Sequence, residues 1–362
     1  MAMEISRRTF IKGTAAAGVV LRQNYTDYNV MGISAVLLNL RRIFALLDDL
    51  TRLMEEERPD VLVIIDYPDF NWRLAARAKE RGIPVFSYIP PSAWAWRKGR
   101  AKSCARIADE IVAIFPHELP PYEAAGANIS FVGNPLIDTV RAEMGEEEAR
   151  RHFGVTDGEI PVLLMPGSRR EEIERLLPPM LGAAEILAAR DSMRRFFLPV
   201  AGGVDTAQIQ RHLAASSVEV TLTHDARYAL MGIARAAIAA SGTVIMEAAI
   251  MGLPAVVLYR MSALSYLVGR LLVDVPRFSL PNILLGETFE TELLQDEVQP
   301  ERIAEAMENI IADGAARDYV TERLARAVAV LGEPNAARRV AEKILALARS
   351  HGRAADENVQ CS

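Results

Sequence analysis

Four groups of residues in this chain have the types and spacing for chemistry. Asp66-Tyr67-Pro68-Asp69-Phe70-Asn71 sets two carboxylates just past the apolar run Asp60–Asp66 (DVLVIID). A carboxylate held beside a hydroxyl suits proton abstraction, while turn and helix-cap chemistry fits Asp69 better than Asp66. Met165-Pro166-Gly167-Ser168-Arg169-Arg170-Glu171-Glu172-Ile173 runs from an apolar stretch into a helical pattern. There Gly167 lets backbone approach a ligand, Ser168 can cap the helix, and first-turn amides with Arg169 can hold a phosphate. An ordinary capped helix whose arginine pairs with a nearby glutamate is the alternative. Ala240-Ser241-Gly242-Thr243 repeats the design, so Ser241, Gly242 and Thr243 can seat a diphosphate on helix-terminal amides. Glu247 lies four residues beyond Thr243, on the same face of an otherwise nearly apolar helix, where a carboxylate can accept from ribose hydroxyls. Finally, Pro90–Lys102 packs Trp94 and Trp96 beside Arg97, Lys98, Arg100 and Lys102. That mixture suits a membrane interface or a phosphorylated lipid headgroup, against the plainer reading of a solvated basic helix start.

Several chemistries lack their residues. No Gly-x-Gly-x-x-Gly follows an apolar run, and neither a phosphate-binding Gly-x-x-x-x-Gly-Lys-Ser/Thr nor a Gly-x-Ser-x-Gly elbow occurs. Nicotinamide, ATP and serine-hydrolase readings therefore have no support. Cys104 and Cys361 are far apart, the five histidines lack ligand spacing and no Asp-x-Asp occurs, so no metal is expected. A net charge of -6 without a basic stripe argues against a nucleic-acid partner.

The elements that must position these groups alternate as parallel βαβ units do. Strands are expected at 60–66, 83–89, 110–115 and 129–133, with helices from about 69 to 82 (Asp69 or Asn71 as N-cap), at 97–108 and at 117–125. A second series has strands near 161–166, 196–201, 218–222, 236–240 and 254–259, and helices at 171–190, 205–215, 226–233 and 243–251. Between them the acidic stretch 144–158 reads as a linker. The expected domains are 23–143, facing the acceptor and membrane, and 159–328, holding the nucleotide. Residues 329–362 form a basic amphipathic helix returning to the first domain, with a tail. Val30–Leu46 and Met261–Val273 are apolar helical stretches carrying Arg41, Arg42 and Arg270, able to lie in a core or on a bilayer surface. Ser6-Arg7-Arg8-Thr9-Phe10, with apolar residues from Thr14 to Leu21, has the outline of a twin-arginine export signal. Its apolar run is short and no small-x-small site follows. Residues 1–22 are thus read as export-signal-like or non-native.

Taken together, VMGISAVL (30–37), IIDYPDFN (64–71), YIPPSAWAWRKGR (88–100), FVGNPLID (131–138), LMPGSRREEIERLLP (164–178), ASGTVIMEAAIMGLPAVVLYR (240–260) and SLPNILLG (279–286) resemble the lipid-A-disaccharide synthase family over about residues 25–345. The resemblance implies an α/β fold of two Rossmann-like parallel-sheet domains facing a cleft, the GT-B type, working without a metal or cofactor. It implies transfer of 2,3-diacylglucosamine from a UDP donor to 2,3-diacylglucosamine 1-phosphate at the cytoplasmic face of the inner membrane, or outside it if residues 6–21 direct export. Asp66 would be the catalytic base. Gly167, Ser168, Arg169, Ser241, Gly242, Thr243 and Glu247 would hold the nucleotide, with Asp69, Trp96, Arg97 and Asn282 lining the acceptor side or cleft. The family's opening strand and Gly-Glu-x-Ser-Gly-Asp loop have no counterpart, so the first domain is expected to lack its first βα unit. Ala35, Tyr67 and Asn134 stand where the family has glutamate, alanine and histidine. These departures motivate a degenerate, non-catalytic nucleotide- or lipid-binding homologue as an alternative; another GT-B enzyme, such as a UDP-sugar epimerase, is a second.

Overall fold

A computed structural model describes residues 33–95, 99–262, 266 and 276–360, with side chains described for 41–95, 99–262, 266 and 276–351. The expected loss of a first βα unit, and the export-like segment, fall on residues outside that range. The chain divides into two compact units, one running to Val132 and resuming at Ala337, the other spanning Gly133–Ala336.

In the first unit, β1 (Leu62–Ile65), β2 (Val85–Tyr88), β3 (Glu110–Ala113) and β4 (Ile129–Phe131) form a parallel sheet in chain order. The intervening helices are α2 (Pro68–Glu80), α3 (Arg100–Ile107) and α4 (Leu119–Glu123), with α1 (Ile33–Glu57) ahead of β1. Successive strand residues point to opposite faces. Val85 and Ile111 accordingly meet Leu47, Met54, Leu74, Ala78 and Tyr122 on one face. Phe86 and Val112 meet the other, which is covered by Val340, Ile344 and Leu347 of the C-terminal helix. Its Lys343 pairs with Glu110 at 2.6 Å, and Arg339 Nε donates to the Val132 carbonyl at 2.7 Å.

The second unit contains α5 (Leu136–Thr139), α6 (Glu146–His152), β5 (Ile160–Met165), α7 (Arg170–Arg190), β6 (Arg194–Pro199), α8 (Thr206–Leu213), β7 (Val220–Thr223), α9 (Arg227–Ile233), β8 (Ala236–Ala240), α10 (Thr243–Ile250), β9 (Ala255–Tyr259), α11 (Leu280–Leu285), β10 (Glu292–Leu294), α12 (Pro300–Ile311) and α13 (Ala315–Ala329); the C-terminal helix is α14 (Ala336–Gln360). Its six parallel strands run β10-β9-β8-β5-β6-β7. The order reverses between β5 and β8, which pair from Val162↔Ala236 to Met165↔Ala239. The loops leaving these two strands therefore diverge from a shared switch point, where open α/β sheets bind ligands.

Two sequence expectations change here. Residues 144–158 are not a free linker: they hold α6, and Ala149 and Val155 are buried in the second unit's core. An acidic helix of seven residues with one small buried face leaves little apolar periodicity to read. Neither Asp69 nor Asn71 caps α2, which starts at Pro68 after a left-handed Tyr67 with no side-chain cap. Proline at the first helical position has no N–H to satisfy. The Asn71 amide instead donates to the carbonyls of Ile65 at 3.1 Å and Asp66 at 2.7 Å, pinning the strand end.

Helices α7 and α12 approach so closely at Gly182 that a Cβ there would lie 2.8 Å from Cγ and 3.1 Å from Cβ of Pro300. Alanine favours a helix interior over glycine by about 1 kcal/mol, whereas overpacking against a rigid ring costs about 1–3 kcal/mol. Gly182→Ala should therefore lower the chemical-denaturation midpoint, against the usual direction for glycine-to-alanine in a helix. A raised midpoint would show that the α7–α12 contact yields.

Candidate functional site

The first unit gathers its polar groups at the carboxyl ends of its strands. Asp66 directly follows β1, and its amide donates to the Tyr88 carbonyl at the end of β2 at 3.0 Å. Asp66, Tyr67 and Ile89 all occupy the left-handed region, with φ of 49°, 48° and 60°. Such geometry costs roughly 1–3 kcal/mol per non-glycine residue and is hardest on a β-branched side chain. It persists because the neighbouring bonds leave no choice: the two Asn71 contacts hold the Asp66 turn, and the Ile89 amide donates to Val112 at 3.1 Å. The result is an exposed Asp66 carboxylate carried past the sheet edge. Asp69, in the first turn of α2, forms an ion pair with Arg100. Trp96 and Arg97 lie outside the described residues, as does most of Met261–Val273. Trp94 is half-buried with its ring edge-on to His117 at 4.7 Å between centroids.

Sequence reasoning passed over His117 and Glu118. They sit in a short 3-10 turn, Pro116–Glu118, beyond β3. Glu118 is 4% exposed, and its Oε2 accepts from the amides of Ile114 and Phe115, each at 3.1 Å. Burial, with a smaller contribution from the Asp66 charge, pushes its carboxyl up to about 7. The His117 ring stacks on Phe115 at 5.4 Å, has a buried Nδ1 without a partner, and is pushed down to about 4 by burial. The imidazole is neutral at physiological pH. The available signal was a Pro-His-Glu string immediately beyond a β-branched run.

At the switch point of the second unit the two helix starts differ. The amides of Ser168 and Arg169 both donate to Glu172 Oε2 at 3.2 Å, and Arg169 Nη1 pairs with Glu172 Oε1 at 2.8 Å. The start of α7 is thus capped by its own glutamate; Ser168 is not the capping side chain and Arg169 already has a carboxylate. Gly167, at φ 103°, turns the chain where a Cβ would strike Glu172. By contrast, α10 begins after Gly242 with no side-chain cap, and open space lies where a Gly242 Cβ would be. Ser241 Oγ donates to the Phe278 carbonyl at 3.0 Å, and Thr243 is exposed. Glu247 is 8% exposed, pairs through Oε1 with Arg227 Nη2 at 3.1 Å and leaves Oε2 buried without a partner. Burial raises its carboxyl, and Arg227 opposes that. Arg227 also donates to the Tyr228 hydroxyl at 2.6 Å. Neither residue was distinguishable in the sequence, because α9 reaches Glu247 only through the fold.

Asn282 does not face a ligand. It is completely buried, its Oδ1 accepting from the amides of Phe289 and Glu290 at 3.0 Å each and its Nδ2 donating to Glu290 O and Glu292 Oε1. Four hydrogen bonds exhaust its amide. Ser279 Oγ donates to Glu290 Oε2 at 2.8 Å, and complete burial pushes the Glu290 carboxyl up to about 8. Among the described residues no cluster of three or more His, Cys, Asp or Glu could hold a metal ion, and no helix is long and apolar enough to cross a membrane.

Residues 12–345 match the sequence profile of the lipid-A-disaccharide synthetase family. The lipid-A-disaccharide synthase of Syntrophus aciditrophicus (strain SB) is 42% identical over 332 residues, covering 91% of this chain and 87% of that protein. That of Anaeromyxobacter sp. (strain K) is 43% identical over 325 residues, 89% of this chain and 84% of the relative. Among solved structures, UDP-GlcNAc 2-epimerase from Neisseria meningitidis bound to UDP-GlcNAc aligns with a TM-score of 0.58 at 15% identity, covering 88% of this chain and 84% of that one. Acinetobacter baumannii MurG aligns at 0.54 and 17%, covering 89% and 86%. These likenesses show a GT-B fold.

The buried Glu290 gives a pH-dependent stability. Its folded value of about 8 stands above the ordinary 4.5, so the neutral acid is favoured in the folded chain. Its contribution is complete below 4.5 and is lost as pH rises toward 8, at about 1.4 kcal/mol per pH unit. Glu290→Gln does not titrate, so its stability relative to wild type, measured by urea unfolding, should improve steadily from pH 5 to 8. A constant difference across that window would mean Glu290 ionises as readily folded as unfolded.

Proposed function

The chain belongs to the lipid-A-disaccharide synthase family, a glycosyltransferase of lipid A biosynthesis, and from that premise we propose how its two units perform the transfer. The donor is UDP-2,3-diacylglucosamine and the acceptor 2,3-diacylglucosamine 1-phosphate, giving a β-1,6 disaccharide and UDP. The sequence relatives at 42–43% identity are synthases, whereas the epimerase shares the fold at 15%. Sequence relatedness therefore favours the synthase over the epimerase alternative.

Glu247 carries the nucleotide half of this reading. A buried carboxylate oxygen with no partner is costly unless something donates to it. Ribose hydroxyls supply such donors, with Arg227 holding the other oxygen in place. The uncapped start of α10 then receives the diphosphate on its amides, at the positive end of the helix. That charge stabilises the leaving group without a metal in this reading. Asp66 supplies the acceptor half. As the acceptor's 6-hydroxyl oxygen bonds to the donor C1, its proton passes to Asp66, and the C1–O bond breaks with its electron pair leaving on UDP. One displacement inverts the anomeric carbon. Both substrates carry acyl chains, and Arg41, Arg42 and Phe44 of α1 are exposed, Phe44 at 46%. Cations beside an exposed aromatic suit the anionic surface of the inner membrane.

Three measurements test this reading. Calorimetry should show UDP binding, weakened by about 1–3 kcal/mol in Glu247→Ala; a folded wild type that ignores UDP would remove the nucleotide site. Asp66→Asn should reduce disaccharide formation from radiolabelled acceptor by ~10²–10⁴ with UDP affinity little changed. Unchanged turnover would reject the assigned base. Co-sedimentation with anionic vesicles should be strong at low salt and loosened at high salt. Its absence at low salt would remove the membrane contact.

A further inference from the structure

Ser241 stands between β8 and α10, and both of its donors are already committed. Its amide donates to the Leu258 carbonyl of β9 at 2.8 Å, and its hydroxyl to the Phe278 carbonyl at 3.0 Å. A hydroxyl has one proton to give, so Ser241 offers a diphosphate neither N–H nor O–H. What it offers is position, because the amides at the open start of α10 follow directly after it. The Phe278 carbonyl that holds the hydroxyl belongs to a turn anchored by Glu292. The Phe278 amide donates to Glu292 Oε2 at 3.0 Å and the Ser279 amide to Oε1 at 2.9 Å, while Asn282 Nδ2 donates to the same Oε1 at 2.8 Å. We propose that Glu292 is a positioning residue for the sugar donor: it fixes the Phe278–Ser279 turn, the turn fixes Ser241, and Ser241 aims the first amides of α10 at the leaving diphosphate. This rests on the reading of α10 as the diphosphate site.

The sheet explains why the anchor comes from so far along the chain. Glu292 on β10 stands opposite Val257 on β9, and Val257 opposite Ala239 on β8. The carboxylate therefore starts two strands from β8, about 10 Å from backbone to backbone, beyond the span of its own side chain. The Phe278–Ser279 turn bridges that gap. Two consecutive backbone amides and a side-chain amide converge on one carboxylate, and such bonds are roughly twice as strong as those between neutral groups. The turn is closed on its other side as well. Ser279 is fully buried, its hydroxyl donates to Glu290 Oε2 at 2.8 Å, and its carbonyl accepts from the Ile283 amide at 3.0 Å. The Phe278 ring lies 5.9 Å from that of Tyr259 at the end of β9. With the turn held on these sides the Phe278 carbonyl has one place to be, and the Ser241 hydroxyl follows it. Glu292 touches no substrate in this scheme; it acts through Ser241.

The test is a double-mutant cycle read by UDP calorimetry on the full chain. Glu292→Gln keeps the size but turns one acceptor oxygen into an NH2 group, so the turn loses part of its anchor. Ser241→Ala cuts the same relay at its other end. Each should weaken UDP binding about tenfold, and the double variant should be no weaker than either alone, because both break one connection. Independent effects would multiply to about a hundredfold, and that result overturns the relay. So does a Glu292→Gln that unfolds at lower urea yet binds UDP as tightly as wild type, which is what a purely structural knot would give. A second measurement needs no variant. In the wild type, saturating UDP should slow hydrogen exchange of the Phe278 and Ser279 amides severalfold. The Thr156 amide, which donates to the Glu159 carboxylate at 2.7 Å, should keep its rate. Unchanged exchange at Phe278 and Ser279, or equal slowing at Thr156, rejects the coupling. The two readings fail separately: a folded wild type that ignores UDP defeats the nucleotide site and the relay with it, whereas UDP binding indifferent to Glu292→Gln defeats only the relay.

Discussion

A parallel β-sheet leaves little room for chemistry. Its crossover helices cover both faces, its strands are buried from end to end, and the amide and carbonyl groups along each strand are spent on neighbours. What remains is the edge where strands give way to helices, with chain turning sharply and helix amides pointing outward. Each unit of this protein obeys that constraint. Asp66, Ile89 and Glu118 follow β1, β2 and β3, while the Gly167 and Gly242 turns follow β5 and β8. The dense hydrophobic layers beneath, with Phe86, Val112, Leu163 and Val257 fully buried, serve as the platform that makes left-handed backbone at Asp66 and Ile89 tolerable.

Much of this was legible in the residues alone. Runs such as DVLVIID, and the helical stretches following them, report local periodicity, which burial on both faces of a parallel sheet makes strong. Asp66 and Glu247 could be singled out because each is a carboxylate at a strand end or on an apolar helix, an anomaly visible within ten residues. Glu118 left only the Pro-His-Glu string as a signal, because what sets it apart is its burial, a property of the packed fold. Asn282 was misread for a related reason: a polar residue in a family-like string reads as ligand-facing, yet its amide closes a buried knot with Glu290 and Glu292. The cap of α7 was one residue out. The residue types point to Ser168 as the cap, but the helix starts one residue later, at Arg170, and the capping group is the Glu172 carboxylate, which accepts from the Ser168 and Arg169 amides.

Two of the departures from the family pattern, Asn134 and Tyr67, have physical accommodations in the structure. Asn134 is buried, its Oδ1 accepting from the Leu136 amide at 2.9 Å while its own amide donates to Leu331 at 2.9 Å. A short amide that folds back on its own backbone suits that tight turn into α5. Tyr67 stands left-handed beside Asp66 with its ring 45% exposed and 6.2 Å from Phe70. A large ring at this place enlarges the apolar surface next to the carboxylate without entering the core.

Glu172 gives the start of α7 a resident occupant. Its carboxylate is tethered four residues from the amides it fills, so it competes with any arriving anion at the high effective concentration that a short tether imposes. A lone phosphate, bringing only its own charge, has to win that exchange unaided. A nucleotide diphosphate held at α10 and Glu247, as proposed above, would arrive tethered as well, and the contest would become one between two local ligands. On the proposed nucleotide site, the loop after β5 would discriminate by connectivity more than by charge, because Glu172 already fills its amides.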